Sequence, residues 1–234
     1  MKYFVISDVH GYYSVLRETL LKNGFNESNN NHHLVILGDL FDRGPQSKEV
    51  LEYVYELSQN DKATIILGNH DSFLLEFIEK NYARTLFNIQ HNGFGETLRS
   101  LSLLDPSPDN LDTIRDVIIK RYPFLYEWIN SFPWFLEKGK YIFGHGGVDG
   151  NTDWKRLKRK DYIWSREITL EPIDGKTVVA GHHRVATIRY PNSNYFELYR
   201  NNPSAFDILY EPGKILIDRF VEISQELNVL IIDL

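Results

Sequence analysis

The chain has 234 residues, 42% hydrophobic and 14% aromatic, which is enough for a sizeable core, and a formal charge of −6 from 26 basic and 32 acidic side chains. A mildly acidic chain does not neutralise a phosphate backbone over a broad surface, so a nucleic-acid partner is excluded. It has no cysteine, which excludes a disulfide framework, a thiolate zinc site and a cysteine nucleophile. The first apolar run, Tyr3 to Ile6, is too short for a signal peptide before Asp8 interrupts it, and no stretch approaches the length of a membrane span. A soluble, cytoplasmic protein with no membrane partner is expected.

In chain order, a strand over 3–6 leads through Asp8–Gly11 into a helix over Tyr12–Asn23, with Val15, Leu16 and Leu20 on one face and Gly24 ending it. A polar loop, Asn26–His33, precedes a strand over 34–37. After Gly44-Pro45, Val50, Leu51, Val54 and Leu57 recur at helical spacing. A strand over 63–67 follows, and a third helix starts near Asp71-Ser72. The steps from Asp8 to Asp39 and from Asp39 to Asn69 each match one βαβ unit of about 30 residues, which predicts a parallel sheet with ligand groups at the carboxyl ends of its strands. Residues 92–136 read as helical, broken at Pro106 and Pro108, and are expected beside the mouth of the site. Short strands return at 140–143, 177–180, 215–218 and 229–232. The Asn- and Pro-rich stretch Pro191–Pro203 reads as a loop. No linker composition divides the chain, so a single domain over 1–234 is expected.

Five of these strands run out into metal-ligand side chains: Asp8-Val9-His10-Gly11, the Gly38–Gly44 turn, Gly68-Asn69-His70-Asp71, Gly144-His145-Gly146-Gly147 and Gly181-His182-His183. Alone, each is an ordinary turn, helix cap or partly buried histidine. Five in series predict one polynuclear site. Asp8 and His10 leave one strand end two residues apart, and strand alternation would put them on one side, ready for one cation. Asp39 has two oxygens and can bridge two cations. Asn69 offers an amide oxygen to the second, and His145 and His182 add imidazole nitrogens. Nitrogen and oxygen together suit two divalent ions, manganese first, with iron or zinc as alternatives, better than calcium.

Two cations ~3.5–4 Å apart clamp an in-line displacement at phosphorus and supply a hydroxide near neutral pH, so no protein nucleophile is needed. His70 is predicted beside the leaving group, with Asp42 holding its tautomer, as the acid that protonates the departing alkoxide. Arg43 can fork onto two phosphate oxygens, and Arg166 is a second clamp. Asn92, before Gly93, is a further donor to substrate.

As an ordered set these residues resemble the calcineurin-like metallophosphoesterase superfamily and, within it, the phosphoprotein phosphatase family in its compact bacterial and phage form. Gly38–Gly44 matches that family's GDxxDRG, Gly68-Asn69-His70 the start of GNHE, His145-Gly146-Gly147 its HGG, and Gly181-His182 the start of GHT. The resemblance implies an α/β (α+β) four-layer fold: a central β-sandwich of two mixed sheets flanked by helices. It implies Asp8, His10 and Asp39 around one ion and Asp39, Asn69, His145 and His182 around the other. It further implies Arg43 and Arg166 on the phosphate and the His70–Asp42 pair as acid. Ser7 departs from the family's Gly, Asp71 from its Glu and His183 from its Thr, and Ile217-Asp218-Arg219-Phe220 stands where bacterial relatives have IDTG.

Three functions follow. The first is a serine/threonine protein phosphatase, resting on GDxxDRG and on HGG, where nucleotide-hydrolysing relatives tend to have HAG. The alternative is a bis(5'-nucleosyl)-tetraphosphatase, so that the partner is either a phosphorylated protein or a nucleotide. The third, a non-catalytic scaffold, fits poorly with an intact ligand set. The basic run Lys155–Lys160 reads as a solvated face, and Tyr122–Trp134 as core.

Overall fold

The structure, a computed structural model, describes residues 1–148, 153–166, 173 and 175–234. Strand β1 (Lys2–Ile6) is followed by α1 (Tyr13–Lys22), β2 (His32–Ile36), α2 (Ser47–Gln59), β3 (Ala63–Ile65) and α3 (Asp71–Ile78). Four helices come next: α4 (Tyr82–His91), α5 (Phe94–Ser102), α6 (Leu111–Arg121) and α7 (Leu125–Asn130). The second half holds β4 (Phe135–Lys138), β5 (Tyr141–Gly144), α8 (Arg159–Trp164), β6 (Thr177–Ala180), α9 (Val185–Arg189) and α10 (Tyr195–Asn201). It closes with β7 (Leu209–Glu211), β8 (Lys214–Leu216), α11 (Val221–Ser224) and β9 (Leu230–Asp233).

The strands form two mixed sheets, ordered β3-β2-β1-β9 and β4-β5-β6-β8-β7. In the first, β1, β2 and β3 are parallel, as the βαβ spacing predicts, and β9 adds antiparallel to β1. In the second, β5, β6 and β8 are parallel, with antiparallel strands at both edges. Alternation along the strands divides the core. Tyr3, Val5, Val35 and Leu37 join Phe143, Val179, Ile215 and Ile217 in one apolar cluster between the sheets. Their neighbours Phe4, Ile6, Leu34 and Ile36 face the other way and pack with α1, α2 and α3 through Leu16, Leu20, Val50, Val54 and Phe73. Two mixed sheets flanked by helices are the four-layer arrangement expected above.

Two stretches differ from expectation. The helical reading of 92–136 runs too far, because Phe135 and Leu136 already belong to β4, paired with Gly144 and Phe143. Pro191–Pro203, read as a loop, contains α10. Asn194 accepts the N–H of Glu197 as an N-cap at 3.4 Å, and Tyr195, Leu198 and Tyr199 pack on a small cluster around Phe206 and Phe220. The Asn and Pro content that suggested a loop marks the cap and the stop of a short helix.

Candidate metal centre

The turns after β1, β2, β3, β5 and β6 meet at one cleft. The first two are laced together by Asp8 N–H to Gly38 O at 3.1 Å, His10 N–H to Asp39 O at 2.9 Å and Gly11 N–H to Leu40 O at 2.8 Å. Asp71, at the start of α3, ties the second turn to the third. Its Oδ2 accepts the N–H groups of Asp39 and Gly68, both at 2.9 Å, and its Oδ1 that of Leu40 at 2.8 Å. The second sheet is joined by His182 N–H donating to Asp8 Oδ2 at 3.0 Å. These turns pass so closely that a Cβ on Gly68 would lie 2.2 Å from Asp39 N, so only glycine fits there.

Six site candidates, Asp8, His10, Asp39, Asp42, Arg43 and His182, hold positive φ between 48 and 75°. Such backbone costs on the order of 1–3 kcal/mol per residue and gathers at functional sites. It also corrects one step of the sequence argument. Strand β1 ends at Ile6, so the turn rather than the pleat directs Asp8 and His10 into the cleft.

Asp39 stands between two groups of imidazoles. Its Oδ2 is 3.7 Å from His10 Nε2 and 4.0 Å from His70 Nε2, and its Oδ1 is 3.3 Å from His145 Nε2. His145 Nε2 is in turn 2.9 Å from Asn69 Oδ1, and His10 Nε2 is 3.9 Å from Asp8 Oδ1. Among the described residues, two groups offer ligand atoms within 4.8 Å of one another: His10, Asp39 and His70, and Asp39, His145 and His182. They share Asp39. Thus all six residues expected to bind metal come together, and His70 lies nearer the first group than a purely acidic role required.

The donor chemistry fits cations. His10 Nδ1 donates to Phe41 O at 2.9 Å and His145 Nδ1 to Leu37 O at 2.6 Å, which turns both Nε2 atoms toward the cleft. His182 Nε2 is buried with no hydrogen-bond partner. Arg43 sets Nη1 2.5 Å from His10 Nε2 and Nη2 2.8 Å from His70 Nε2, so a positive group already stands on those lone pairs. Burial, with Arg43 and His70, holds His10 well below the usual imidazole range, and burial with His145 lowers His182 to about 2, so both rings are neutral. At His145 burial acts downward, but Asp39 and Asp8 outweigh it and raise the ring to about 10. The carboxylates call for a positive charge at that Nε2, whether proton or metal.

His70 Nδ1 donates to Asp42 Oδ2 at 2.7 Å, and the other oxygen of that fully buried carboxylate accepts the Thr97 hydroxyl at 2.6 Å. Above the ligand atoms opens a cavity of about 250 Å³, walled by Arg43, Asn92, Trp164, Arg166 and Arg184. Asn92 donates to Asn88 Oδ1 at 2.8 Å, and Arg166 lies exposed at the rim. The departures from the family motifs acquire roles in packing. Asp71 is the three-bond clasp described above. His183 Nε2 lies 3.1 Å from Ser165 O and 3.3 Å from Gly146 O, joining two loops of the second sheet. Sequence reasoning missed Thr97, Arg184 and Glu222, none of which stands in a motif. Trp164, two residues before Arg166, was missed as well. In the basic run, Lys155 pairs with Glu137 and Arg156 with Asp153, as a solvated face would.

The sequence matches the calcineurin-like phosphoesterase family over residues 1–217. The chain belongs to that family. This phosphoesterase is 35% identical over 188 residues to the symmetrical bis(5'-nucleosyl)-tetraphosphatase of Buchnera aphidicola, an alignment covering 74% of this chain and 59% of that protein. It is 30% identical over 178 residues to the asymmetrical bis(5'-nucleosyl)-tetraphosphatase of Oceanobacillus iheyensis, covering 73% of this chain and 66% of that one. The phosphoesterase thus spans about three fifths to two thirds of the length of these relatives. Its fold is similar to the cold-active protein-tyrosine phosphatase of a psychrophilic Shewanella, with a TM-score of 0.61 at 19% identity, over 99% of this chain and 75% of that one. These two relatives therefore fall on the nucleotide side of the two activities weighed from the sequence, away from the side to which HGG pointed. No helix among the described residues is long and apolar enough to cross a membrane.

Proposed function

We propose that this phosphoesterase is a dinuclear-metal hydrolase of bis(5'-nucleosyl) polyphosphates. The observation that carries the metal part is Asp39, one carboxylate shared by two ligand groups at the floor of a cleft walled by arginines. The names of the relatives carry the substrate part. In this reading Asp8, His10 and Asp39 hold one cation and Asp39, Asn69, His145 and His182 the other, with manganese as the first ion to test. Such a pair, when bound, neutralises phosphoryl charge and makes water nucleophilic near neutral pH.

The chain's own residues do the rest. Arg43 and Arg166, which both line the cavity, orient the phosphate by charge-assisted bonds, and Asn92 adds an amide donor. His70, fixed by Asp42, is the acid for the departing oxygen, once substrate phosphate draws Arg43 away from Nε2 and that nitrogen takes up a proton. Thr97 and burial keep Asp42 in one rotamer, so the imidazole does not swing. Trp164 is the aromatic side chain in a cavity lining otherwise made of polar and charged groups.

The test is turnover of diadenosine tetraphosphate against a phosphoserine peptide, with manganese, and chromatography of the products. Faster cleavage of the dinucleotide is expected, and the product pair separates symmetrical from asymmetrical attack. Faster cleavage of the peptide would return the reading to a protein phosphatase. Inactivity on every phosphate ester with manganese, iron and zinc would return it to a scaffold.

A further inference from the structure

Arg184 follows the His182-His183 turn and reaches the wall of the cleft. Its guanidinium carbon stands 3.8 Å from the centre of the Phe220 ring, and Nη2 donates to Glu222 Oε1 at 2.8 Å. The same oxygen accepts Arg43 Nη1, also at 2.8 Å. One carboxylate oxygen therefore joins two guanidinium groups that both line the cavity. The Glu222 side chain is 17% exposed, those of Arg43 and Arg184 25% and 33%. All three are partly sheltered, where charge-assisted bonds outweigh their surface value. Asp218 lines the same cavity, and its Oδ1 already accepts the Phe220 N–H at 2.7 Å.

The geometry has a chemical reading. An anionic oxygen receiving one Nη from each of two arginines is how a non-bridging phosphate oxygen is held. Two positive charges share one negative charge, so the trio remains net positive toward an incoming anion. The ring of Phe220 fixes the plane of Arg184 before anything binds, which lowers the ordering cost of a later contact. Arg43 borders the ligand groups, whereas Arg184 stands beyond Glu222. One oxygen reaches both guanidinium groups, so a single phosphoryl group can take the place of the Glu222 carboxylate. When the phosphate under attack lies on the ligand groups, that group is its neighbour along the polyphosphate chain.

We propose that Arg184 binds the phosphate adjacent to the one being hydrolysed, and that Glu222 is an internal anion which a polyphosphate chain displaces from the Arg43–Arg184 pair. Arg184 then selects polyphosphates over simple phosphate monoesters, and Glu222 positions the arginines while the cleft is empty of substrate. This rests on the nucleotide-hydrolase reading for its natural substrate. Its test needs neither a nucleotide nor turnover.

Calorimetric binding of inorganic tripolyphosphate and of orthophosphate is compared in the full chain, Arg184→Ala, Arg184→Lys and Glu222→Gln, with manganese in excess of the ligand. Loss of a charge-assisted bond is worth about ten-fold or more in affinity. Arg184→Ala is expected to weaken tripolyphosphate by that factor and orthophosphate by less than about three-fold, and Arg184→Lys to recover part of the loss because it keeps the charge without the fork. Glu222→Gln removes the competing charge and is expected to tighten tripolyphosphate. Equal weakening of both ligands in Arg184→Ala, or no weakening in either alanine or lysine variant, overturns the role of Arg184. Looser tripolyphosphate binding in Glu222→Gln overturns the displacement. If tripolyphosphate behaves as expected while diadenosine tetraphosphate is not cleaved, the nucleotide reading fails and the arginine assignment stands.

Discussion

The floor and the rim of the cleft are built differently. The floor is nearly sealed: Asp8, His10, Asp39, Asn69 and His145 are each 2% exposed or less, and they sit on turns directly after core strands. The rim is less sealed: Trp164 is 42% exposed and Arg166 is also exposed, Arg184 and Glu222 are half-buried, and these last two with the buried Phe220 come from short helices and loops of the last fifty or so residues. The floor is held by backbone bonds between turns, the rim by side chains holding one another. Chemistry that tolerates no displacement is placed on the first, and selection among substrates, which needs only charge and reach, on the second.

The sharpest way to break this division is at Asp39. Asp39→Asn removes the shared negative charge and replaces one of the two ligand oxygens by an NH2 donor, while the oxygen that remains can still accept the His70 N–H at 2.9 Å. Turnover is expected to fall by at least about 10⁴-fold, the upper end of what a single acid or base supplies, and elemental analysis should find both metals reduced. His70→Asn is the next largest. A loss of about 10²–10⁴-fold is expected with metal content intact, partly rescued by a leaving group of low pKa. If metal falls as far in His70→Asn as in Asp39→Asn, His70 belongs with the ligands, which its 4.0 Å approach to Asp39 Oδ2 permits.

The same division explains what could be read from the amino-acid sequence. Gly38-Asp39 and Gly68-Asn69 are legible because a ligand turn pressed against a second ligand turn permits almost no other residues, and because each follows an apolar run with the period of a strand. The three parallel strands β1, β2 and β3 are legible from the βαβ spacing. Sequence also suggested two substrate classes, and HGG pointed to the one that the relatives do not favour. Arg166 was legible at the rim, but the Arg184–Glu222 part was hidden for a physical reason. Arg184 matters through Glu222, 38 residues away, and Asp42 through Thr97, 55 residues away. No local period carries a contact of that span. Helix α10 was missed because its cap and stop residues, Asn194 and Pro203, are also those of a loop.

Asp71 tests whether the clasp beneath the floor is as necessary as the ligands. Asp71→Asn keeps the shape but exchanges one acceptor oxygen for a donor, so at least one of three backbone N–H groups loses its partner. Metal affinity is expected to drop about 10–100-fold, as for other groups that orient ligands. Unchanged affinity, measured by competition with a chelator, would show that the turns hold themselves.

A smaller effect follows from His145. Its folded-state value, raised to about 10, means that near pH 7 the metal-free ring carries a proton on the Nε2 that the cation needs. Binding must expel that proton, so affinity falls as pH falls, by up to about ten-fold per unit for one proton released. Calorimetry in two buffers of different ionisation heat counts the proton. In the metal-free protein the same group stabilises the fold fully below its unfolded value, near the ordinary imidazole range, and progressively less as pH rises toward about 10.

The smallest effect on the floor should come from the centre of the rim's own core. Phe206 is fully buried in a cluster with Ala186, Ala205 and Phe220 that is separate from the two larger clusters, and the Tyr199 ring stands 5.1 Å from its own. Phe206→Ala removes about 3–5 kcal/mol of packing. Because no ligand candidate belongs to this cluster, the loss is expected as local opening rather than loss of metal. Hydrogen exchange should quicken through α9, α10 and the Phe220 turn, while the amides of β1, β2 and β3 keep their protection and two metal ions remain per chain. Arg184 would then lose its aromatic support, and polyphosphate affinity should weaken more than turnover of a simple monoester. A parallel loss of protection in β1 would show instead that rim and floor open as one cooperative unit, and the contrast between them would be one of exposure alone.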